Sequence, residues 1–78
     1  MSADQIDEIL QANPFVPFTL HLASGRKYRV DHPDFAMLTR GRHVLTVGLE
    51  GDAVALVDLL LVSDLETHPR GETNAASS

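Results

Sequence analysis

Phe15-Val-Pro-Phe-Thr-Leu-His-Leu-Ala-Ser-Gly-Arg-Lys-Tyr-Arg-Val-Asp-His-Pro-Asp-Phe35 is the stretch that decides the fold. Phe18, Leu20 and Leu22 alternate with Thr19, His21 and Ala23, the period of a strand with one buried face. Ser24-Gly25 follows, and Gly25 can take the positive φ that a tight hairpin demands. A second strand spans Arg26 to Asp31, with Tyr28 and Val30 on one face and Lys27, Arg29 and Asp31 on the other. His32-Pro33-Asp34 breaks it, because proline lacks the N–H a ladder needs. Strand, turn, strand, turn predicts a small antiparallel β domain.

Upstream, Ser2 to Ala12 reads as a short helix. Ser2 is a good N-cap, and Gln5 stands at the capping-box position. Asp4, Asp7 and Glu8 suit the positive end of the helix dipole. Ile6, Ile9 and Leu10 form one apolar stripe that needs a partner surface, since so short a helix is marginal alone. Asn13-Pro14 stops it. Phe15 is expected to staple the helix onto the sheet.

Downstream, a third strand is predicted from Phe35 to Thr39, with Phe35 and Met37 on one face and Ala36 and Leu38 on the other. Phe35 is expected to anchor this strand. Arg40-Gly41-Arg42 turns the chain into a fourth strand, His43 to Leu49. Glu50-Gly51-Asp52 turns it into a fifth, Ala53 to Val57. Asp58-Leu59-Leu60 reads as a tight turn capped by the Asp58 carboxylate. A last strand covers Leu61 to Glu66. From Thr67 the chain is small and polar, and a disordered tail over 67–78 is expected.

The fold class is therefore mainly β (α+β). An N-terminal helix precedes a strongly bent antiparallel sheet of about five or six strands, or an SH3- or Sm-like barrel, in one domain over residues 1–66. Strands three to five are apolar on both faces, so the helix or another subunit must cover the outer one.

Composition narrows the function. A chain of 78 residues is one domain with a small core. It has no cysteine, which excludes disulfides and thiolate metal sites. A net charge of −5 argues against sequence-blind nucleic-acid binding, and DNA is not an expected partner. No signal peptide or membrane span is visible, so the expected location is cytoplasmic with no membrane partner. His21, His32, His43 and His68 fit no local metal motif, and no metal or cofactor is expected. There is no phosphate-cradling glycine loop. His32 and Asp34 make a candidate binding loop, and an enzyme is not expected because no nucleophile motif accompanies them.

Two resemblances add to this reading. Pro14-Phe15, Pro17-Phe18, Leu20, Leu22, Gly25, Val30, His32-Pro33-Asp34-Phe35 and Val57-Asp58-Leu59-Leu60-Leu61-Val62 resemble a group of short bacterial proteins of unknown function. Their pattern is PFxPFxLxLxxG, then VxHPDF, then a D-LL-V tail, and it covers Gln5 to Glu66. More loosely, the helix, the Phe18 to Arg29 hairpin and a closing Leu59 to Leu65 strand are similar to the Sm-like fold, which includes the bacterial Sm-like RNA chaperone. That resemblance implies a bent barrel, ring assembly and RNA binding. The chaperone's late Tyr-Lys-His has no counterpart at Val57 to Leu61.

The expected function is a non-enzymatic interaction module that forms homo-oligomers or binds a protein partner. The alternative is an Sm-like RNA-binding module using Lys27, Arg29, Arg40 and Arg42.

Overall fold

Ser2 starts α1 (Ala3–Gln11), the one α-helix among the described residues, with the reciprocal bonds of a capping box. The Gln5 N–H donates to Ser2 Oγ at 3.2 Å, and the Ser2 N–H donates to Gln5 Oε1 at 2.9 Å. The computed structural model describes residues 1–69. Six strands follow the helix: β1 (Phe18–Leu22), β2 (Lys27–Val30), β3 (Ala36–Leu38), β4 (Val44–Gly48), β5 (Val54–Asp58) and β6 (Val62–Thr67). One 3-10 turn, Pro33–Phe35, separates β2 from β3, and another, Leu59–Leu61, separates β5 from β6.

The strands divide into two three-stranded antiparallel sheets, ordered β2-β1-β6 and β3-β4-β5. The expectation of a single strongly bent sheet or an SH3- or Sm-like barrel is corrected: the six strands form two sheets, and no closed barrel forms among the described residues. The 3-10 turns explain the division. Pro33 cannot donate to a ladder, and the His32 side chain captures the Asp34 N–H at 3.2 Å. The chain therefore leaves the first sheet after Val30 and enters the second at Ala36. Asp58 acts likewise at the second turn, where its carboxylate accepts the Leu60 N–H at 2.9 Å.

The two sheets turn their inner faces on one core. Phe18, Leu20 and Val30 come from the first sheet, and Leu45, Val47 and Val57 from the second; all are essentially buried. Ile6 is fully buried among them, with Ile9, Leu10 and Phe15 packed alongside. The Phe15 and Phe18 rings lie 6.0 Å apart, so Phe15 does clasp the helix connector to the sheet. Gly25 turns β1 into β2 at φ 94°, as the hairpin requires.

Thr19 is the departure from simple alternation. It points to the polar face of β1 yet is 8% exposed. β1 is the central strand of its sheet, and the segment after β6 folds over it. The His68 N–H donates to the Pro17 carbonyl, and His68 Nε2 lies 2.9 Å from Thr19 Oγ1. Thr67 and His68 thus take part in the fold; from Arg70 the expected tail lies outside the described residues. Among the described residues no helix is long and apolar enough to cross a membrane.

Candidate functional site

The helix sends Ile6 into the core, and among the described residues the outer face of β3-β4-β5 stays exposed at Met37, Val54 and Leu56. Two contacts fix the helix. Arg42, in the β3–β4 turn, reaches Asp4 Oδ1 and Asp7 Oδ2, each at 2.9 Å. The terminal ammonium of Met1 donates to the Leu59 carbonyl at 3.4 Å. Arg42 adopts φ 63°, the left-handed region, which costs a non-glycine residue about 1–2 kcal/mol. Its guanidinium, placed between two carboxylates, is held above its ordinary pKa, first by the Asp7 hydrogen bond.

Strand alternation sends Met37, Thr46, Val54 and Leu56 to the face opposite the core. Register aligns Met37 with Thr46 and Thr46 with Leu56 in one row across the sheet. Gly48 pairs with Val54 in the next row, and a Cβ on Gly48 would stand 3.6 Å from the Phe35 carbonyl. Phe35, Gly48 and Val54 therefore line up beside the first row. Phe35 is 53% exposed, Val54 59%, Met37 69% and Leu56 70%. The expectation that Phe35 anchors the third strand is corrected. Its ring stands outside the core, 5.6 Å from the His32 ring.

The far end of this face opens into a groove of about 1000 Å³ between the end of β2 and the β4–β5 hairpin. Phe35, Leu49 and Val54 supply its apolar lining, and Asp31, Glu50, Asp52 and Arg29 its charged rim. Arg29 Nε donates to Asp31 Oδ1 at 2.6 Å, so the one guanidinium there is already matched. Neither Glu50 nor Asp52 has an ion-pair partner among the described residues.

The residues singled out from the sequence are dispersed. Lys27 and Arg29 share the exposed face of β2, and Arg40 sits in the β3–β4 turn. Arg42 is engaged with the helix, and Arg29 with Asp31. His32 and Asp34 do lie together, with Nδ1 3.6 Å from Asp34 Oδ2, but both are exposed and His32 Nδ1 accepts the backbone bond of its own turn. Among the described residues no group of three His, Asp or Glu side chains is placed to hold a metal ion. On the opposite sheet His21 Nε2 meets Glu66 Oε1 at 3.0 Å. That bond holds the Glu66 carboxyl below its ordinary pKa.

The apolar outer face was foreshadowed only by strands three to five being apolar on both sides. Glu50 and Asp52 read as plain turn residues, and only the hairpin geometry brings them to the rim. Compared with protein-family models, curated proteins and solved structures, the chain matches none.

Proposed function

We propose that this protein is a non-enzymatic interaction module whose contact surface is the outer face of β3-β4-β5. The observation that carries the reading is Phe35, Met37, Val54 and Leu56 standing together, each more than half exposed. Single exposed apolar residues need no explanation, but a contiguous set on one sheet face marks an interaction site. The rows come from local alternation and register, so the paired strands present the set side by side on one face.

In place of a closed SH3- or Sm-like barrel, two three-stranded sheets pack on one core with β6 returned beside β1, which keeps only a loose likeness to that fold. The RNA-binding alternative has weaker support, because Arg29 and Arg42 are paired with carboxylates and Arg40 stands in a turn of the other sheet from Lys27. It predicts salt-sensitive binding of single-stranded RNA that Arg40→Ala weakens.

Size-exclusion chromatography with light scattering, joined to affinity capture, tests the main reading. The expected result is a complex, with itself or another protein, that Met37→Lys/Leu56→Lys abolishes while the circular dichroism stays unchanged. A strictly monomeric chain with no partner overturns it.

A further inference from the structure

Given that the outer face of β3-β4-β5 is a contact surface, we propose that its occupant is a basic, apolar segment of another protein. Its apolar side chains would lie on Met37 and Leu56 and run on into the groove beside Phe35 and Val54. Its lysines or arginines would meet Glu50 and Asp52. The inference rests on the interaction reading above and adds the partner's chemistry to it.

The groove rim carries three carboxylates against one guanidinium. Arg29 and Asp31 neutralise one another at 2.6 Å, which leaves Glu50 and Asp52 as the excess charge beside the apolar surface. An acidic ligand or a nucleic acid meets repulsion there, and a cationic one meets attraction. A second copy fits less well than a basic partner. It brings another net charge of −5 toward the same rim. The exposed Leu60 and Leu61 make a smaller apolar patch on the second 3-10 turn, where the Asp58 carboxylate is already engaged by the Leu60 N–H at 2.9 Å.

The test uses the full chain and two labelled peptides, one alternating lysine with leucine and one alternating glutamate with leucine. Binding is read by fluorescence anisotropy across a salt series. The lysine peptide is expected to bind, and the glutamate peptide to bind at least about tenfold more weakly. Glu50→Gln/Asp52→Asn should weaken the lysine peptide about tenfold and flatten its salt dependence. Met37→Ser/Leu56→Ser should weaken it by a similar factor, and these side chains are too exposed for their loss to unfold the chain. Glu8→Gln/Asp64→Asn removes the same charge elsewhere and should change binding by less than about twofold.

Equal weakening by both charge pairs overturns the proposal, since attraction would then be diffuse. Equal binding of both peptides overturns it too. A dimer that Met37→Ser/Leu56→Ser dissolves, with no peptide binding, makes a second copy the occupant and leaves the contact surface standing. No peptide binding from a monomer that captures no partner removes the contact surface as well.

Discussion

Leu45 and Leu56 stand on neighbouring strands of one sheet, one register step apart, and face opposite ways. Leu45 is fully buried, and Leu56 is 70% exposed. The same truncation should therefore have very different effects. Leu45→Ala removes a side chain from between two close-packed sheets and leaves a cavity, which costs about 2–5 kcal/mol. A chain of 78 residues has a total stability of about 4–12 kcal/mol, so this is a large share of it. At about 4–8 °C per kcal/mol for a domain this size, the Tm should fall by roughly 10 °C or more. Leu56→Ala removes a side chain that is already in water, and its effect should stay within about 0.5 kcal/mol. Urea denaturation followed by circular dichroism measures both, and dilution separates folding from association. If a dimer buries Leu56, the Leu56→Ala effect will grow with protein concentration. A loss of about 2 kcal/mol or more in dilute, monomeric Leu56→Ala would refute the two-faced assignment of this sheet.

Three further outcomes follow from named contacts. Arg42→Ala should lower helix content and Tm, and added salt should shrink the difference from the parent, because the Asp4 and Asp7 pairs are exposed and screened. Asp58→Ala should cost about 0.5–2 kcal/mol in urea titration by freeing the Leu60 N–H, while Asp58→Asn keeps most of the stability. Glu66 is depressed from 4.5 by its His21 bond, so its folded form binds a proton less readily than its unfolded form. Its stabilising contribution is complete above about pH 4.5 and is lost as pH falls through the lower folded value. Thermal melts across the acid range should accordingly show Glu66→Gln converging on the parent below that point.

What could be read from the chain was what depends on near neighbours. The Ser2–Gln5 capping box, the Gly25 hairpin and the Asp58 turn each involve groups within a few residues, so residue type and spacing suffice. The six strands followed from alternation, though each came out shorter or shifted by a residue or two where a turn captured its end. Long-range choices were not legible. Alternation alone does not say that β6 pairs with β1, and that pairing is what brings His68 over Thr19. Arg42 reads as a turn residue and candidate RNA contact, because nothing local shows that it pairs with Asp4, 38 residues away, and with Asp7. Phe35 read as an anchor because an aromatic beside a turn usually is one. The 3-10 turn rotates it out of the core and onto His32. The bare outer face was legible as a question, in strands apolar on both sides. Only the exposure of Met37, Val54 and Leu56 answered it.

Methyl-resolved NMR of the full chain, titrated with the alternating lysine–leucine peptide, tests the central claim most directly. Exposed apolar methyls report from both candidate patches in one spectrum. Met37, Val54 and Leu56 should move in a saturable way while Leu60, at 87% exposure, stays still. Shifts that centre on Leu60 and Leu61, or that spread evenly over every exposed methyl, would contradict the account.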